Sequence, residues 1–187
     1  MVQSYNPTFG RPEHARRNME AGIEKAFSGL DPNLSRRVGD YLARRYPDIS
    51  PEAYAPYPLI LSTNNTVAAA GNLAASVVCP TLTLFYAIRT SPQYDFAALP
   101  AAYFGTNLGT DFNFRLTAQE GGYILGTITN PVSSSAFHTD QPTRIQPWWS
   151  GANQTLSFNG TNNEPISINM GITLYGIGIY TAAGPLT

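Results

Sequence analysis

ITLYGIGIYTA, residues 172–182, decides how the chain reads. It is dense in β-branched and aromatic residues, which suit a pleated, half-buried surface and are enriched in strands. Gly176 and Gly178 alternate within it, so one face of the strand lacks side chains there and something is expected to approach closely. Five stretches upstream share this makeup: LTLFYAI (82–88), FNFRLTA (112–118), YILGTIT (123–129), TLSF (155–158) and ISINM (166–170). Clusters of Gly, Pro, Asn and Ser separate them. Glu120-Gly121-Gly122 reads as a hairpin turn, and NGTNNEP (159–165) as another. Many short strands punctuated in this way predict a sandwich or jelly roll. NNTVAAAGN (64–72), SPQYDFAALPAAYFGTNLGTD (91–111) and SSSAFHTDQPTR (133–144) read as long loops, with 64–79 open to either a strand or a loop reading. Loops beyond about 12–15 residues usually bind or make contacts.

The front of the chain has a different character. Residues 1–58 hold eight Arg or Lys and seven Asp or Glu, whereas 59–187 hold only eight charged residues. Pro12 suits a first helical position. Ala15, Met19, Ile23 and Phe27 follow in one apolar stripe at helical spacing, and Gly29 fits a C-terminal stop. Gly22 weakens this helix by about 1 kcal/mol relative to Ala. Asp31-Pro32 repeats the start signal. Leu34, Val38, Tyr41 and Leu42 form a second stripe, Arg44 and Arg45 complement the dipole at its end, and Pro47 closes it. The pair predicts a helical hairpin. PDISPEAYAPYP (47–58), with four prolines, reads as an extended connector. The charge break divides the chain into an N-terminal arm with connector, 1–58, and a β domain, 59–187.

The chain has 187 residues, enough for one domain with a sizeable core. Its 12% of charged residues is roughly half the ~25% of ordinary soluble domains. A formal net charge of −1 supplies no bulk attraction for nucleic acid. Little charge also means little repulsion between copies, and a surface this neutral is often covered by a partner. Cys79 is the sole cysteine, so no disulfide forms within the chain and no CxxC metal spacing exists. MVQSYNPTFGRPEH lacks the basic-then-apolar pattern of a signal peptide, which predicts synthesis in a cytoplasm. The N-x-S/T triplets at Asn33, Asn64, Asn153 and Asn159 are then coincidental. Ala53 to Ile88 carries no charge, yet its prolines, glycine and asparagines interrupt it too often for a membrane-spanning helix.

Residues able to carry chemistry are few. His14 falls among arginines on the first predicted helix and reads as a solvated side chain. His138 stands in FHTD, with Asp140 two residues on and Ser133, Ser134 and Ser135 just upstream. A nucleophile, a base and a carboxylate are nominally present, but catalysis requires a hydrogen-bonded line through them that this spacing does not enforce. A turn or contact role for the loop is the plainer reading, and we expect no enzyme. His138 and Asp140 are kept as ligand-binding candidates. They fall short of a zinc pattern, and no metal or cofactor is expected. Scattered carboxylates (Asp95, Asp111, Glu120, Asp140, Glu164) form no signal for glycoside hydrolysis.

IQPWWSGANQTLSFNG (145–160) contains both tryptophans of the chain. If 144–149 is extended, Trp148 and Trp149 point to opposite faces, one into the core and one outward. Burial of both under the 133–144 loop is one reading. An outward indole anchoring a protein contact is a second, and stacking on a sugar ring is a third. Tyr54, Tyr57, Tyr94, Tyr103 and Tyr123 lie in or beside loops among Asn, Ser and Thr, the makeup of a neutral binding surface or of half-buried packing.

The arm HARRNMEAGIEKAF…LSRRVGDYLARRYP, the Pro-rich connector and a charge-poor β domain ending ITLYGIGIYTAAGPLT resemble the organisation of bacteriophage virion proteins of the minor capsid, decoration or penton type. That resemblance implies symmetric oligomers, a structural role without turnover, and localisation in the virion. The expected fold is mainly β, an antiparallel β-sandwich of jelly-roll type preceded by an N-terminal helical hairpin. The expected function is assembly. The β domain would contact copies of itself, and the helices would dock on other virion proteins. Met19, Ile23, Phe27, Val38, Tyr41, Leu42, Trp148 and Trp149 are the interface candidates. The alternative is a carbohydrate- or receptor-binding module using Trp148, Trp149 and the tyrosines, with Trp149 as its ligand-binding candidate.

Overall fold

A computed structural model describes residues 32–49, 53–94, 112–118, 122–126 and 129–187. Helix α1 spans Pro32–Arg45. Leu34, Val38 and Leu42 of its predicted stripe are buried and Tyr41 is half-buried, while Arg36, Arg37, Arg44 and Arg45 are exposed. The amide of Tyr46 closes the last turn on the carbonyl of Leu42 at 2.9 Å, ahead of Pro47. The first predicted helix, with Met19, Ile23 and Phe27, lies outside the described residues, so the hairpin pairing does too.

The rest is mainly β. The strands are β1 (Tyr54–Val67), β2 (Asn72–Val78), β3 (Thr83–Tyr94), β4 (Phe112–Ala118), β5 (Tyr123–Leu125), β6 (Val132–Ser133), β7 (Thr143–Ser150), β8 (Thr155–Asn162), β9 (Ile168–Thr181) and β10 (Gly184–Pro185). Two antiparallel sheets pack together. The first runs β1-β9-β3-β7, with β10 beside β9. The second runs β2-β8-β4-β5, with β6 beside β4. The second half of the chain therefore returns along the first: β1 with β9, β2 with β8, β3 with β7, β4 with β5 and β6.

Among the described residues, α1, positions 54–57 and Ile179–Gly184 group as one unit, and those of Pro58–Gly178 with Pro185–Thr187 as another. In the first unit Tyr57 meets Tyr180 edge-on, ring centroids 5.5 Å apart. The second unit holds the core between the sheets. Phe85, Phe112, Phe114, Phe158, Ile88, Leu116, Leu156, Ile168, Met170, Ile172 and Leu174 are all fully buried there. Burial of apolar area on this scale, at ~25 cal/mol per Å², is the main force holding the sheets face to face.

Several sequence expectations are corrected. Positions 64–67 belong to β1, so the loop at 64–72 shrinks to a turn at 68–71, closed by the Gly71 amide on the Ala68 carbonyl at 2.9 Å. The connector 47–58 turns into strand at Tyr54. β3 continues to Tyr94, into the predicted loop 91–111. The strand at 123–129 stops at Leu125, where Gly126 takes φ +68°. ISINM and ITLYGIGIYTA are one strand, since Gly171 continues β9 opposite Ser91 instead of breaking it. β8 runs through Asn159–Asn162, part of the stretch read as a turn.

Buried polar groups fix the ends of the strands. The Asn162 side chain donates from Nδ2 to the carbonyls of Val67 (3.2 Å), Ala68 (2.9 Å) and Ile166 (2.9 Å), and its Oδ1 accepts from the Glu164 amide at 3.0 Å. The β1–β2 turn and the β8–β9 connection are thus held by one residue. Thr81 does the same at the C-terminal end: its hydroxyl bonds the Leu186 carbonyl at 3.3 Å and accepts from the Leu186 amide at 3.0 Å. Among the described residues no helix is long and apolar enough to cross a membrane.

Candidate functional site

The tryptophans lie on β7, an outer strand of the first sheet. Trp148 pairs with Phe85 across β3, and Trp149 pairs with Leu84. Adjacent positions on a strand face opposite ways. The Trp148 ring stacks on Phe85, centroids 5.0 Å apart and 27° between planes, and packs against the core. Gly176 makes room for this on the next strand. A Cβ there would fall 2.9 Å from Phe85 Cδ1, 2.8 Å from Thr83 Cγ2 and 3.0 Å from the Leu84 carbonyl. The close approach expected at Gly176 is therefore that of Thr83 and Phe85 together. The Nε1 of Trp148 is buried with no hydrogen-bond partner among the described residues. Trp149 is half-buried on the other face, in register with Leu84.

On that same sheet the register slips between Phe85 and Ala87, which places Tyr86 in a bulge. Burial raises the pKa of its phenol above the ordinary value, the neighbouring Tyr175 adds to the rise, and Arg144 opposes it. Of the loop tyrosines, Tyr54 donates to the Tyr46 carbonyl at 3.4 Å. Tyr103 and the side chains of Tyr94 and Tyr123 lie outside what is described.

The serine-histidine loop is built differently from a catalytic constellation. Residues Ser134–Phe137 form a short 3-10 helix, and the Ser133 side chain caps it by accepting from the Ser135 amide. The hydroxyls of Ser133 and Ser135 bond one another at 2.8 Å. Ser134 is fully buried, and its carbonyl accepts from Thr90 Oγ1 at 2.8 Å. His138 Nδ1 lies 3.1 Å from the Thr90 carbonyl. A carbonyl can only accept, so Nδ1 carries the proton. Thr90 therefore holds the loop to β3 from both ends. Asp140 is exposed. Among the described residues no three His, Cys, Asp or Glu side chains gather to hold a metal ion.

The sequence reading missed the outer face of the second sheet. Registers across β2, β8 and β4 set Asn72, Thr161 and Asn113 in one row, Ala74, Asn159 and Arg115 in the next, and Ser76, Ser157 and Thr117 in a third. All are exposed or half-buried, and Arg115 is the one charged side chain among them. Thr161 donates to Asn72 Oδ1 at 3.1 Å along the first row. This is a neutral surface of short hydroxyls and amides, bordered at β2 by Val78, which is 56% exposed. The signal was present in the alternation of NLAASVV, but the surrounding Asn and Ala concealed it.

In comparisons with known proteins, no family model and no curated protein matches the chain.

Proposed function

We propose that this chain is a structural subunit of a virion-like particle, a jelly-roll domain that assembles with copies of itself and works without turnover. The strand order carries this reading. A β1-β9-β3-β7 sheet packed with a β2-β8-β4-β5 sheet, the later strands returning along the earlier ones, supports a double-sheet jelly roll. Jelly rolls recur in capsid and lectin domains, so architecture supplies the role by analogy. The surface favours assembly, because from residue 59 onward the chain holds only eight charged residues to keep copies apart. Helix α1 supplies docking on a different protein through its exposed Arg36, Arg37, Arg44 and Arg45. Val38 and Leu42, already buried within the chain, contribute to that contact by fixing the helix rather than by touching the partner.

The test is electron microscopy and light scattering of the purified full chain. Rings, trimers or larger symmetric particles are the expected result. A strictly monomeric species at high concentration overturns the reading.

Trp149 supports a second reading, a neutral glycan as receptor, because it stands half-buried on the face opposite the core-packed Trp148. A glycan array bound by the natural chain and not by Trp149→Ala would favour it, and an array without hits would end it.

A further inference from the structure

Of the outer strands of the two sheets longer than three residues, β2 alone carries neither proline nor charge anywhere along its length. β1 carries Pro56 and Pro58, β7 carries Pro147, and β5 and β6 are three and two residues long. Proline and short length are the usual defences against edge-to-edge pairing, together with lysine. β2, NLAASVV, has none of these: no proline, no charge, and seven residues of extended chain. Among the described residues its strand neighbour is β8.

Among the described residues, the backbone groups of β2 that lie outside its ladder with β8 can be assigned. The Asn162 amide bonds the Gly71 carbonyl at 2.9 Å, and the Cys79 amide bonds the Gln154 carbonyl at 2.9 Å. The β2–β8 register runs unbroken between these points. In an antiparallel ladder, backbone groups alternate between the two sides. Odd positions from 71 to 79 therefore bond β8, and the N–H and C=O of Asn72, Ala74, Ser76 and Val78 point off the edge. The side chains of these four residues are exposed, while Leu73, Ala75 and Val77 pack on the core.

We propose that the β2 edge pairs with the β2 edge of a second copy, antiparallel about a two-fold axis at Ala75, to make one continuous sheet across two subunits. An antiparallel edge is complementary to itself under such an axis. Centring on Ala75 matches Asn72 with Val78 and Ala74 with Ser76 of the other copy, so all four outward-facing residues find partners. The side chains brought together are small and uncharged, and no like charges meet. The inference rests on the assembly reading above and names its contact.

Hydrogen exchange of the full chain, followed with light scattering across a dilution series, tests it. The amides of Ala74, Ser76 and Val78 should exchange slowly in the oligomer and rapidly once dilution yields monomer. Ser76→Lys, and separately Ala74→Pro, should lose the oligomer while circular dichroism stays that of the natural chain. If both variants keep the natural size and the edge amides exchange freely in the oligomer, the inference falls and the assembly reading stands. If those amides are slow in monomer and oligomer alike, the chain covers its own edge, and the inference again falls. A natural chain that is monomeric throughout removes both.

Discussion

Phe85 and Trp148 meet over a space that only glycine leaves, and the consequences are measurable one side chain at a time. Phe85→Ala should cost about 3–5 kcal/mol in urea unfolding, because the ring is fully buried and its loss leaves a cavity. Gly176→Ala should cost about 1–3 kcal/mol through overpacking, with a shift in tryptophan fluorescence as Phe85 is pushed along Trp148. The empty face at Gly176 is legible in ITLYGIGIYTA; the ring that fills it is not, since it comes from a distant strand. Asn162 was hidden for a similar reason. Within NGTNNEP it looks like a turn residue, and only the fold shows three carbonyls converging on its amide. Tyr54 gives a pH prediction. Burial, with Tyr46 adding to it, pushes its phenol from the ordinary 10.0 up to about 12. A phenol kept neutral in the folded chain contributes stability that is complete below pH 10 and is lost as pH rises through about 12. Phenolate absorbance should show this late ionisation, and Tyr54→Phe should remove it.

Elements were read best where the pattern was local. Helix α1 is legible from Leu34, Val38 and Leu42 at one end and Arg44 and Arg45 at the other, because helical periodicity needs no distant partner. FNFRLTA matches β4 residue for residue. ISINM and ITLYGIGIYTA, read as two strands, run on as one because Gly171 between them is small enough to admit Ser91 across the ladder. The stretch 133–144 reads as a long loop, and Thr90 secures it at Ser134 and His138. Thr90→Val should therefore cost about 0.5–1.5 kcal/mol by removing the bond from the Thr90 hydroxyl to the Ser134 carbonyl. It should also speed proteolysis within 133–142. His138→Ala should be milder, because its bond lies nearer solvent.

For the molecule as a whole, composition and strand period were enough to expect two sheets with a charge-poor surface. They could not give the strand order, since each pairing joins segments far apart and no local residue encodes its partner. The scarcity of ions in the β region leads to a salt prediction. Contacts between neutral surfaces are barely screened, so the size distribution of the proposed assembly should hold between about 0.1 and 1 M salt, as read by light scattering. Loss of the oligomer at high salt would move the contact to the arginines of α1. The returning path of the chain also has a consequence in time. β9 lies between β1 and β3, so the first sheet has no centre until residues 168–181 have been synthesised. Such high contact order predicts refolding in roughly milliseconds to seconds rather than microseconds. A nascent chain stalled before residue 168 should remain protease-sensitive and dependent on chaperones.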